Sequence, residues 1–230
     1  MIALSYSRLS TFEQCERKFS YLYVDKTVKD KDNEFTLYGT RVHEALENYG
    51  KAKADGTAVA RDVLSDNRQF DEVRKHLPMV DAMLAKPGDK YFEHQMALRE
   101  DRTPCDWFAP DIWLRGIADV LIVNGDTAFV VDWKTGKVKD NPTQLKLFAC
   151  MVMEHFPAVQ RVKTAFVWLG HNEVTSQTFG REHLQDMWNT LLPRMDAVQQ
   201  AVTLGFFKSK PTGLCNWCPA KDVCPDRKKR

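Results

Sequence analysis

IWLRGIADVLIVNGDTAFVVDWK, Ile112 to Lys134, reads as two strands joined at Asn124-Gly125-Asp126, a hairpin turn signal between apolar runs. The second strand ends on Asp132 and Lys134, an acid and a base carried toward a core in which unpaired charge is costly. If Gly125-Asp126 is the turn, Asn124 pairs with Thr127 and Asp119 falls opposite Asp132. If Asn124-Gly125 is the turn, Asp119 faces Val130, which shares a face with Asp132. Under either register both carboxylates and Lys134 project from one side, because strand side chains alternate. Ala118, Val120, Ile122, Phe129, Val131 and Trp133 then cover the other side. Two facing acids repel, so a cation is expected between them. Lys134 is one; a divalent ion suits carboxylates and water better, Mg2+ or Mn2+ above all. An Asp–Lys ion pair that only ties two strands together accounts for the same residues without a ligand.

Outward from the hairpin, SRLSTFEQCERKFSYLYV (7–24) predicts a helix capped by Ser7 or Ser10, with Leu9, Phe12, Phe19 and Leu22 as its apolar stripe. A second helix follows Gly39 in GTRVHEALENYGKAKA. Residues 55–90, polar and broken by Gly and Pro, predict short helices in an insertion. Tyr91–Leu98 reads as a strand and REDRTPCDWFAPD as a loop. Asn141-Pro142-Thr143 opens a helix, QLKLFACMVMEHF, apolar nearly all round and therefore buried. The strands VKTAFVWLG and EVTSQTF come next. A long helix follows from about Arg181 to Val202, with Leu184, Met187, Leu191, Met195, Val198 and Val202 along one side. This order predicts an α/β fold, a mixed central sheet flanked by helices, in a single domain over 1–230 whose sheet core spans 91–180.

A chain of 230 residues with 43% hydrophobic and 28% charged residues has ordinary globular composition and buries a sizeable core. Its net charge of +2 excludes a polycation, so nucleic-acid contact requires a local basic surface. MIALSYSRLS lacks a basic region followed by an apolar one, and no apolar run approaches a membrane span. The expectation is a soluble, cytoplasmic protein with no membrane partner.

GTRVHEALE, GIADVLIV, VVDWKTGK and QLKLF, in that order, make the sequence resemble the PD-(D/E)XK nuclease superfamily. The likeness is closer to its RecB-like branch, which includes the iron–sulfur exonucleases associated with CRISPR systems. SYSRLSTFEQCERKFSYLY matches the opening segment of that branch. The resemblance implies a restriction-endonuclease-like core. It implies His43, Asp119 and Asp132 as ligands of Mg2+ or Mn2+, with the carbonyl of Trp133 as a fourth and Lys134 as the catalytic lysine. Glu93, in YFEHQMALR, sits where the branch often has a strand glutamate; a surface or salt-bridging carboxylate is its alternative. Gln144 matches the glutamine of the motif QxxxY and would act with Asp119, Asp132 and Lys134; alternatively it only caps its helix. Phe148 stands where the motif has tyrosine, which removes a hydroxyl. His43 taken alone reads equally as a core or surface histidine.

Of six cysteines, three crowd LCNWCPAKDVCPDRKKR as Cys215-x2-Cys218-x5-Cys224. The segment matched by the resemblance supplies Cys15 as a fourth. Zinc sites usually show two local pairs, whereas three-plus-one spacing is frequent for cubane clusters, and the iron–sulfur exonucleases carry this distribution. A 4Fe–4S cluster joining segments 1–24 and 205–230 is therefore expected, with zinc or unliganded thiols as alternatives. Cys150, in an apolar helix, reads as a packing residue, and the terminal RKKR as a solvated tail rather than a DNA contact.

The resemblance thus implies a metal-dependent DNA exonuclease acting on single strands or ends, in recombination, repair or CRISPR adaptation together with the proteins of those pathways. No G-x4-GK-[ST] run occurs, so the chain carries no Walker A motor. Two rivals stand beside it: a catalytically inactive DNA-binding or complex-assembly module, and a zinc-stapled structural protein.

Overall fold

In a computed structural model, which describes residues 2–30, 33–56, 73–139 and 141–227, five strands form one mixed sheet in the order β1-β2-β3-β4-β5. They are β1 (Asp89–Leu98), β2 (Leu114–Asn124), β3 (Thr127–Lys134), β4 (Arg161–Trp168) and β5 (Glu173–Gly180). The helices, in chain order, are α1 (Tyr6–Gln14), α2 (Glu16–Phe19), α3 (Glu34–Ala54), α4 (Leu77–Leu84), α5 (Pro142–His155) and α6 (Leu184–Leu204). Neighbouring strands are antiparallel except β3 and β4, whose parallel pairing requires a crossover. That crossover is α5.

The hairpin takes the first of its two candidate registers, Asn124 pairing with Thr127 around Gly125-Asp126. Gly125 has φ 57°, which suits this tight turn. Helices cover both faces of the sheet. On one, Val42, Leu46 and Tyr49 of α3 and Val80 and Met83 of α4 pack on Val120, Ile122, Val131 and Trp133. On the other, α5 lies between the sheet and α6, which explains its apolar circumference: Leu145 and Leu147 to Met153 are all buried. The stripe Met187, Leu191, Met195 and Val198 of α6 is buried against it.

Three expectations need correction. The helix over 7–24 is broken at Cys15, whose backbone is extended at φ −167°, and Ser5 rather than Ser7 or Ser10 caps α1. The break has a partner remote in sequence: Arg17 N–H donates to the Lys208 carbonyl at 3.1 Å, and Lys208 N–H to Glu16 Oε2 at 2.9 Å. The C-terminal segment thus pairs an N–H that a continuous helix would have bonded to the Glu13 carbonyl and that the break sets free. From Ser20 to Val24 the chain then winds as a π-helix. Second, the insertion is not wholly peripheral, since α4 contributes to the core and residues 89–90 belong to β1; residues 57–72 of it lie outside the described residues, as do 228–230 of the basic tail. Third, Ala118 does not share a face with Val120 and Ile122. It packs with Leu121 on the α5 side.

Candidate active site

The displacement of Ala118 begins one residue further along the strand. Pairing of Phe92 with Val120 and His94 with Ala118 leaves Glu93 and Asp119 on one rung, yet neither is paired there. Glu93 has φ 45°, a left-handed conformation that costs a non-glycine residue about 1–2 kcal/mol. Alternation slips across this rung in both strands. Tyr91 faces α5 and Phe92 faces α3, but Met96 and Leu98 beyond the rung face α5; Val120 faces α3, but Ala118 faces α5. On the other edge of β2, pairing with β3 ends at Val120–Val131. Asp119 Oδ2 instead accepts the Trp133 backbone N–H at 2.6 Å. The sheet opens at Asp119, and a carboxylate fills the opening.

Helix α3 approaches this opening because two glycines let it. A Cβ on Gly39 would lie 3.2 Å from Thr135 Oγ1, just beyond β3, and one on Gly50 would lie 2.2 Å from Phe92 Cε1 on β1. Between them His43 reaches the opening, its Nδ1 3.3 Å from Asp119 Oδ1. Ligand atoms of His43, Glu93 and Asp119 all lie within 4.8 Å of one another, a nitrogen and carboxylate oxygens around a small volume. Such a donor set fits a hard divalent cation.

Asp132 does not join that trio. It makes an ion pair with Lys134 through Oδ2 and accepts from Gln144 Nε2 at 3.2 Å through Oδ1. Gln144 is therefore tied to the site and does not merely cap α5. Lys134 Nζ also lies 4.9 Å from the centre of the Phe166 ring. Helix α5 is held in turn by Arg194 of α6, which donates to Thr143 Oγ1 at 2.9 Å and grips both Glu13 oxygens of α1 at 2.6 and 2.8 Å. Phe148 is buried, one turn below Gln144.

Asp119 and Asp132 are only 8% and 6% exposed, so their charges are weakly screened. Burial pushes the Asp132 carboxyl above the ordinary carboxylate range against the opposing pull of Lys134, and Asp119 pushes it further. Burial, Asp119 and Glu47 raise Glu93 to about 7. Burial works against protonation of His43, but the carboxylates of Asp119, Asp132 and Glu93 outweigh it and raise its pKa. All three shifts favour the protonated form.

The sequence profile of the PD-(D/E)XK nuclease superfamily matches residues 3–225. This chain belongs to that superfamily. Among solved structures, a protein from Eubacterium rectale that carries a provisional exonuclease assignment aligns with a TM-score of 0.57 at 13% identity, covering 99% of this chain and 90% of that one. A second, named SSO0001, aligns with a TM-score of 0.38 at 11% identity, covering 83% of this chain and 85% of that one. No curated protein sequence matches. The first likeness shows a shared fold, and membership of the PD-(D/E)XK superfamily makes nuclease chemistry the activity to test. No helix among the described residues is long and apolar enough to cross a membrane.

Sequence reasoning placed Asp119, Asp132, Lys134, His43 and Gln144 at a common site, and they meet there. Of the residues it named as metal ligands, His43, Glu93 and Asp119 bring their ligand atoms within 4.8 Å of one another, while Asp132 is engaged by Lys134 and Gln144. The missed signal was backbone conformation: nothing in YFEHQMALR marks a left-handed glutamate.

Proposed function

We propose that this protein is a metal-dependent DNA exonuclease of the RecB-like branch, acting on single strands or DNA ends. One observation carries the reading: a histidine and two carboxylates surround one small volume beside a lysine and a glutamine that hold a third carboxylate. His43, Glu93 and Asp119 would hold Mg2+ or Mn2+, with Asp132 and the Trp133 carbonyl within the same shell. When bound, the ion supplies charge neutralisation at the phosphate and eases deprotonation of an attacking water. Lys134 holds a fixed positive charge where negative charge develops, and its contact with Asp132 keeps it there. Gln144, third residue of α5, brings with it the free N–H groups of that helix's first turn, which attract phosphate. Asp132 orients both Lys134 and Gln144. The substrate class and the recombination, repair or CRISPR-adaptation setting rest on the resemblance of the ordered motifs.

The same reading assigns a 4Fe–4S cluster to Cys15, Cys215, Cys218 and Cys224. All four line one cavity of about 190 Å³ between the α1–α2 break and the C-terminal segment. Cys215 Sγ accepts the Thr212 N–H at 3.3 Å. Among the described residues no three cysteine sulfurs lie within 4.8 Å of one another, and the assignment rests on the resemblance and on the shared cavity. The cluster's role would be to staple distant segments.

A time course on end-labelled single-stranded DNA with Mg2+ or Mn2+ tests the activity. Shortening of the labelled strand is expected, with Lys134→Ala slower by about 100-fold or more. Equal rates for wild type and Lys134→Ala would refute the assignment.

A further inference from the structure

Resting on the nuclease reading, we infer that a groove between the start of α1, strand β2 and helix α5 is a subsite for a single-stranded nucleotide flanking the scissile phosphate, with Arg115 as its phosphate-binding residue. The groove, a cavity of about 160 Å³, is lined by Tyr6, Ser7, Arg115, Gln144, Phe148 and Met151 among others. Gln144 is common to the groove and the site, because its amide donates to Asp132. A strand lying in the groove therefore continues directly into the catalytic centre. Gly116 forms part of the floor, where a Cβ would press on Met151 Sδ at 3.2 Å. The bare backbone at that point lets β2 approach Met151 and Phe148 of α5 closely at the base of the groove.

Charge favours the same occupant. The Arg115 guanidinium lies 5.3 Å from the Trp107 ring centre, and among the described residues neither it nor Arg8 has a carboxylate partner. The two arginines repel: Arg8, half-buried, is lowered in pKa by burial and then by Arg115. Adjacent cations with no acid between them suit a phosphate. Aromatic and hydroxyl side chains beside a cationic mouth make the kind of surface on which unpaired bases stack, and every base has a face to stack. Position 148 carries this further. Phenylalanine, lacking the hydroxyl expected there, gives the groove an apolar floor suited to a ring rather than to a hydrogen bond.

Fluorescence anisotropy of a labelled single-stranded oligonucleotide, measured with Ca2+ in place of the active metal across a salt series, tests this. Arg115→Gln should weaken binding about tenfold and flatten the salt dependence by about 0.7 in slope, the contribution of one phosphate contact on a single strand. Arg115→Lys should restore the slope while recovering only part of the affinity, since it keeps the charge but loses the planar fork. Unchanged affinity and slope in Arg115→Gln would overturn the subsite, as would an equal loss for blunt duplex. Wild type that binds through Arg115 yet degrades nothing would refute the nuclease reading and leave the groove standing. Wild type that degrades DNA with Arg115→Gln binding unchanged would do the reverse.

Discussion

Glu93 and Asp119 face each other on one rung of the β1–β2 ladder, and neither makes the pairing that the rungs on either side make. Two acids placed opposite each other destabilise a sheet unless something positive lies between them. The left-handed backbone of Glu93 adds a second cost at the same place. Strain and repulsion are thus concentrated on one rung.

Glu93→Gln should therefore stabilise the metal-free protein, by about 1 kcal/mol from relief of repulsion, while weakening Mn2+ binding about tenfold or more. Thermal unfolding and metal titration by calorimetry read the two effects separately. A variant that lost stability without losing metal affinity would show Glu93 to be an ordinary structural carboxylate.

The same rung sets a pH dependence. Glu93 is raised to about 7 and His43 is also raised, so the folded state retains protons that the unfolded chain releases. Their contribution is full below the ordinary carboxylate range and is lost as pH rises through about 7. Burial lowers His76, His94 and His155, which act in the opposite sense, so the informative quantity is the difference between wild type and Glu93→Gln. Wild type should lose ground against the variant as pH rises from about 5 to 8. Divalent metal should abolish that loss, because it displaces the proton, and its affinity should climb over the same range. A flat difference curve would contradict the proton-holding site.

Gly50→Ala tests how α3 is seated. The new methyl would meet Phe92, the neighbour of Glu93, at 2.2 Å, and the ring must move. Overpacking of this kind costs about 1–3 kcal/mol. Activity should fall more than stability predicts, because displacement of the helix carries His43 away from Asp119. A variant with native unfolding temperature and full activity would mean that α3 adjusts freely.

Cys15→Ser removes the sulfur contributed from the N-terminal side. Anaerobically prepared protein should lose its absorbance near roughly 400 nm and unfold at lower temperature. A colourless wild type loaded with zinc would replace the iron assignment.

Alternation, turn chemistry and periodicity made most of the architecture legible. NGD located the hairpin while leaving two registers open, and the apolar circumference of QLKLFACMVMEHF announced a helix covered on two sides. Asp119, Asp132 and Lys134 could be placed together because strand alternation puts them on one face under either register. What escaped was set by tertiary contact. SRLSTFEQCERKFSYLYV is helical in every local respect, and its break at Cys15 depends on Lys208. The face change at Asp119 depends on a Trp133 amide that prefers a carboxylate to the ladder. Gln144 was singled out, but only its contact with Asp132, invisible in the sequence, ties it to the site.

The N-terminal segment and its first two helices have partners far downstream: Gln199 bonds Ile2 at a separation of 197 residues, Arg194 bonds Glu13 at 181, and Lys208 bonds Glu16 at 192. During synthesis those helices leave the ribosome with their apolar sides uncovered and must wait for nearly all of the remaining chain. A polypeptide interrupted before α6 would lack the arginine that holds both α1 and the start of α5. The two ends of the described chain therefore assemble together, and the seating of α1 and α5 beside the Asp132–Gln144 pair draws on both.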